Sequence, residues 1–133
     1  MRLYLILGFL LFLLACNGKQ ERYREINEEQ LKLQVILPKN SEQQYSVRVF
    51  PGEEIKQAKG SNSREMLYQC DSCFYLQTNG IKQYASSTTP ISSGISGCYE
   101  YMVYFENGET KAASFVFDDK FYTQKQYSIS LEE

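Results

Sequence analysis

Four cysteines, Cys16, Cys70, Cys73 and Cys98, are the most reactive side chains in this sequence. Two of them form the tetrapeptide Cys70-Asp71-Ser72-Cys73, a spacing that serves thiol–disulfide exchange, a structural bridge or a metal. Exchange needs the first cysteine at a helix N-terminus, where the dipole lowers its pKa. Here the following residues, Phe74-Tyr75-Leu76-Gln77-Thr78-Asn79-Gly80, read as strand and turn, which favours a structural bridge. Zinc would lack its usual fourth ligand, because the chain has no histidine and a carboxylate would have to fill that place. No metal and no other cofactor is expected.

The missing histidine also removes Ser-His-Asp and Cys-His pairs and any imidazole base. Glu53-Glu54 and Asp118-Asp119 are paired carboxylates in predicted turns, where solvated loop charge is the simpler reading than acid–base work. Gly94-Ile95-Ser96-Gly97 lacks the lysine and following helix of a phosphate-binding loop. No catalytic set emerges, and a non-enzymatic protein is expected.

The elements that would position these residues are strands. In Leu31-Lys32-Leu33-Gln34-Val35-Ile36-Leu37 apolar and polar residues alternate, the period of a strand with one buried face. Tyr45-Ser46-Val47-Arg48-Val49 repeats the pattern and stops at Pro51-Gly52, a strong turn pair. Residues 53–64 read as a long loop with one helical turn near Ile55 to Ala58. Asn79-Gly80, between two aromatic-rich runs, predicts a two-residue hairpin that pairs Thr78 with Ile81 and Tyr75 with Tyr84. Ser86 to Gly97 reads as a long connection crossing between sheets or over an end of the fold.

A second hairpin is predicted around Asn107-Gly108, with Phe105 facing Thr110, Val103 facing Ala112, Tyr101 facing Ser114 and Tyr99 facing Val116. That uncharged face is the expected core face. The opposite face would carry Cys98, Glu100, Met102, Tyr104, Lys111, Ala113, Phe115 and Phe117. Its apolar part, Met102, Tyr104, Phe115 and Phe117 rimmed by Glu100 and Lys111, is a candidate binding patch. A last strand holds Tyr127, Ile129 and Leu131. About seven or eight short strands with regular turn signals indicate an all-β fold, a small antiparallel β-sandwich or barrel. Gly97-Cys98-Tyr99-Glu100-Tyr101-Met102-Val103 resembles the penultimate strand of immunoglobulin-like sandwiches, although no tryptophan is present to serve as their core residue.

Residues 1–15 have a different character. Arg2, the apolar run from Leu3 to Leu14, and Ala15 before Cys16 match the parts of a cleaved secretory signal. The run is shorter than the roughly 20 residues of a spanning helix. Leu13-Leu14-Ala15-Cys16 resembles the lipobox of bacterial lipoproteins, with Leu14 where Ala or Ser is commoner. The resemblance implies a diacylglycerol on the Cys16 thiol, cleavage before Cys16 and acylation of the new N-terminus. Asn17, where Asp would mark inner-membrane retention, leans toward the outer membrane. Lys19-Gln20-Glu21 loosely resembles charged surface-export signals of some Bacteroidetes lipoproteins. The expected organisation is a signal peptide over 1–15, a lipidated N-terminus and polar tether over 16–30, and a β-sandwich over 31–133.

Cleavage would leave 118 of the 133 residues and take the formal charge from −2 to −3, enough for one small domain and without the basic patch that a nucleic-acid partner requires. With Cys16 lipidated, Cys70, Cys73 and Cys98 remain as disulfide candidates, an odd number, so one bridge and one thiol are expected in an oxidising compartment. The expected partners are a membrane, through the anchor, and another envelope component. The alternative is an inhibitor or immunity-type lipoprotein that blocks an enzyme or toxin, with loops such as Ser86 to Gly97 as its binding surface.

Overall fold

Side-chain alternation decides which segments pair and which face each buries. The computed structural model describes residues 22–39, 43–58, 63–92, 94–106 and 112–132. Leu13-Leu14-Ala15-Cys16, Lys19-Gln20-Glu21, Asn107-Gly108 and Lys111 lie outside the described residues. The elements, in order, are β1 (Tyr23–Asn27), β2 (Leu31–Ile36), β3 (Gln44–Pro51), α1 (Glu53–Ala58), α2 (Ser63–Tyr68), β4 (Phe74–Thr78), β5 (Ile81–Tyr84), β6 (Ser87–Ile91), β7 (Tyr99–Tyr104), β8 (Ser114–Asp118) and β9 (Gln126–Ser130). They form an all-β sandwich of two antiparallel sheets, ordered β1-β2-β3-β7-β6 and β5-β4-β8-β9.

In β2 the residues Leu31, Leu33 and Val35 are buried, and in β3 so are Tyr45, Val47 and Val49, as their alternation dictates. Across the interior they meet Phe74, Leu76, Phe115, Phe117, Tyr127 and Ile129. Phe115 is the hub, with ring centroids 5.2 Å from Tyr45, 6.0 Å from Phe74 and 6.1 Å from Phe105. Each such buried ring contributes about 1.5–3 kcal/mol of transfer free energy.

The first hairpin forms as its sequence demands. Asn79 and Gly80 take φ of 49° and 78°, Thr78 pairs with Ile81, and Tyr75 pairs with Tyr84 at a ring separation of 5.4 Å. Gly52 has a different reason to be glycine. Its N–H donates to the Gln30 carbonyl at 2.8 Å, and an added Cβ would stand 2.9 Å from the Glu29 carbonyl oxygen.

Three expectations are corrected. The polar stretch over 16–30 is not tether throughout: Tyr23–Asn27 is an edge strand, because Arg24 and Ile26 turn inward against Val35 and Leu33. Within Ser86 to Gly97, Ser87–Ile91 is strand β6, paired with β7. The crossing between sheets takes only two residues, since Ala85 N–H donates to Phe74 in the four-stranded sheet and Ser86 N–H to Tyr104 in the five-stranded one. Finally, β7 and β8 are not a hairpin. β7 pairs with β3 and β6, and β8 with β4 and β9. β7 and β8 therefore belong to different sheets, so Tyr101 does not face Ser114 nor Tyr99 Val116.

The two ends of the sandwich are distinct. At one lie Arg22, Tyr23, Ile36, Gln44 and Tyr104; Phe115 touches Tyr45 and Phe105 there, so the Thr78–Ile81 turn projects beyond them. At the other lie Asn27, Leu31, Pro51 and Tyr99, with Tyr99 stacked on Tyr122 at 6.2 Å.

Candidate functional site

The outer face of the five-stranded sheet carries a polar row at its centre. Strand register brings Glu25, Gln34, Arg48 and Glu100 side by side. Gln34 Nε2 donates to Glu25 Oε2 at 2.7 Å, Ser46 Oγ donates to Glu100 Oε1 at 3.3 Å, and Arg48 Nε stands 3.4 Å from Glu100 Oε2. Glu100 is only 5% exposed, although its strand face looks outward. A buried carboxylate is tolerated because a cation and a hydroxyl compensate it. Beside this row the register aligns Tyr23, Ile36, Ser46 and Met102. Tyr23, Gln34, Ile36 and Arg48 line an open concavity of about 290 Å³.

The candidate patch is thereby redrawn. Met102 is half-buried and Tyr104 exposed on this outer face, but Phe115 and Phe117 are fully buried in the core of the other sheet. The separation of β7 from β8 is the cause, for it puts the two pairs on different layers. Glu100, expected as an exposed rim charge, lies beneath its neighbours. Met102 instead shares an outward row with Tyr23, Ile36 and Ser46, and Tyr104 stands in the next row opposite Gln44. The signal was available in Tyr23-Arg24-Glu25-Ile26-Asn27, a short run whose Arg24 and Ile26 share one face.

The thiols divide into a pair and a single. Cys70 and Cys73 are buried, and Cys73 N–H donates to the Cys70 carbonyl at 3.1 Å, closing a turn. Such a turn holds its end Cα atoms within about 7 Å, the reach of a disulfide. Cys98 lies apart on the outer face of the five-stranded sheet, in the field of Glu100, Arg48, Lys32 and Lys56, and its Sγ approaches the Ile95 carbonyl at 3.7 Å. All three are thiols in this structure. Of the three possible bridges only Cys70–Cys73 has its partners adjacent.

The motif follows the C-terminus of α2 and opens strand β4, the reverse of the placement that activates a thiol. The Cys70 thiol is pushed up, first by the proton it shares with Cys73 and then by burial. Cys73 is lowered, first by that hydrogen bond and then, against burial, by Lys120. The more acidic sulfur is thus the second cysteine, and it is wholly enclosed.

Around this turn, Tyr101 Oη–H donates to the Met66 carbonyl, and Tyr122 Oη–H donates to Tyr99 Oη at 3.1 Å. Burial raises the pKa of both Tyr101 and Tyr122. Asp119 is fully buried and is not a solvated loop charge: its carboxylate accepts from the N–H groups of Phe121, Tyr122 and Thr123 and from Thr123 Oγ1 at 2.7–3.0 Å. It holds the turn that carries Tyr122. Glu53 and Glu54 are exposed at the start of α1. Among the described residues no three His, Cys, Asp or Glu side chains gather as a metal site, and no helix is long and apolar enough to cross a membrane.

Comparison with known proteins gave no match: no family model, no curated sequence and no solved structure matches the chain. The class of protein is therefore the one its own architecture defines, a small all-β sandwich of two antiparallel sheets.

Proposed function

We propose that this chain is a lipid-anchored cell-envelope protein of bacteria, at the outer membrane, whose sandwich binds another envelope component without catalysis. The observation that carries the reading is Leu13-Leu14-Ala15-Cys16 after an apolar run headed by Arg2. That combination suits signal cleavage at a lipidated cysteine, and two or three acyl chains on Cys16 would make attachment durable. The binding face is the outer surface of the five-stranded sheet, where the row of Tyr23, Ile36 and Met102 runs beside Gln34 and Arg48. Aromatic and aliphatic anchors beside an arginine are the composition of interface hot spots. Enclosure of Cys73 and the capping duty of Asp119 favour a structural part for both, not a chemical one.

The experiment has two arms. Mass spectrometry of the membrane-extracted chain should find acyl groups on Cys16, and Cys16→Ala should release the protein to the soluble fraction. Envelope pull-down with the wild-type chain should retain a component that Met102→Asp and Ile36→Asp, both folded, lose. Acyl-free Cys16, or equal retention by wild type and variants, would sink the corresponding half of the proposal.

A further inference from the structure

We infer that the sandwich rests the end bearing Ile81 and Tyr104 on the lipid surface that holds Cys16. The inference deepens the lipidation reading above and rests on it. Strand β1 begins at Tyr23, and Arg22 is already fixed, its carbonyl accepting from Leu37 N–H at 2.8 Å. Only residues 17–21 separate Cys16 from Arg22. Six steps of at most ~3.6 Å reach about 22 Å when fully extended, so this end cannot stand further from the headgroups than that.

The fold fixes which side chains share that end. Tyr23 pairs with Ile36, Gln44 with Tyr104, and the Thr78–Ile81 turn projects past Phe115 in the opposite sheet. What they expose suits an interface. Ile81, beside the hairpin tip, is 73% exposed, and Tyr104 is 44% exposed. Lys39 is exposed in the same region, while the Lys82 ammonium folds back over the Tyr75 ring, 4.9 Å from its centre. An aliphatic tip enters the headgroup–acyl boundary, a tyrosine lies at that boundary with its hydroxyl wet, and the Lys39 stem extends to lipid phosphates. Glu106 is exposed here too, so the contact depends on apolar burial more than on basic attraction. The 119–125 turn, at the other end, faces away from the bilayer.

The sequence contains no tryptophan, so a single introduced one is a clean reporter. The full lipidated chain carrying Ile81→Trp, Tyr104→Trp or Lys125→Trp is reconstituted into phosphatidylethanolamine–phosphatidylglycerol vesicles with brominated acyl chains. Ile81→Trp and Tyr104→Trp should lose roughly half their fluorescence, the depth of an interfacial group, and Lys125→Trp should lose little. A chain that pellets with the vesicles yet shows no quenching at position 81, or equal quenching at 81 and 125, overturns the inference and leaves lipidation standing. A chain without acyl groups on Cys16 overturns both.

Discussion

Arg48 and Glu100 stand opposite one another in neighbouring strands, 3.4 Å apart, with the carboxylate almost wholly buried on a sheet face that otherwise meets solvent. Removing one partner strands the other. Glu100→Ala should lower stability by about 1–3 kcal/mol, less than for a fully enclosed pair because the Arg48 side chain keeps 26% exposure. Arg48→Met with Glu100→Leu should recover most of that loss. Urea unfolding with an unchanged slope checks both values; a single variant as stable as wild type would show that the pair is not coupled.

Core and outer surface separate cleanly within the redrawn patch. Phe115→Ala should destabilise by about 3–5 kcal/mol, and Phe115→Asp should unfold the domain. Met102→Asp and Tyr104→Asp should shift the melting midpoint little, since both reach solvent. Circular dichroism melts of the four variants read the outcome, and a folded Phe115→Asp protein would contradict the layer assignment.

Thiol counting tests the pairing. In a Cys16→Ala chain isolated without reductant, one thiol, Cys98, should react under denaturing conditions, with the mass lower by two hydrogens than after reduction. A bridge between Cys70 and Cys73 closes a very short loop, so oxidation should add only about 2 kcal/mol in the chain-entropy account. Three reactive thiols, or a peptide linking Cys98 to either partner, would refute the adjacency argument.

Alkaline pH should unfold the domain in a defined window. Burial raises the folded-state pKa of Tyr45, Tyr101, Tyr122 and Tyr127 above the ordinary value near 10. Above about pH 10 the unfolded chain releases those protons while the folded one keeps them, so stability is intact below that pH and falls as pH rises through it. Tyr101→Phe should cost about 1 kcal/mol at neutral pH, by deleting the bond to the Met66 carbonyl, and should make the alkaline loss shallower. A parallel decline in both proteins would remove Tyr101 as a contributor.

Most strands were legible because their faces alternate. Asn79-Gly80 gave register as well as turn, since both residues needed positive φ. Asn107-Gly108 carried the same dipeptide signal between equally aromatic runs, yet β7 found its partners in β3 and β6; dipeptide chemistry is local, while the choice of partner strand is made by the whole core. Tyr23–Asn27 escaped notice because its polar composition outweighed a single inward Ile26. Asp119 was misjudged for a related reason: its carboxylate works on N–H groups two to four residues ahead, and the Asp119-Lys120-Phe121-Tyr122-Thr123 run could have suggested that turn. Glu100 was readable as outward-facing, but not as buried, because the residues that flank it, Ser46 and Arg48 of β3 and Ile91 of β6, are distant in sequence or lie in a stretch read as a connection.

The pairing of β3 with β7 spans a long stretch of chain, as the bond between Ser46 and Glu100, 54 residues apart, makes plain. During synthesis or export from the N-terminal side, β2 and β3 can zip together early, but β3 keeps an open edge until residues 99–104 arrive. That interval exposes Tyr45, Val47 and Val49, an aggregation-prone strand. Late, non-local closure of this kind sets folding speed. The step that completes the central ladder is therefore also the one at which a folding chain is most vulnerable, and a chaperone that shields β3 until β7 emerges would act at the slowest point.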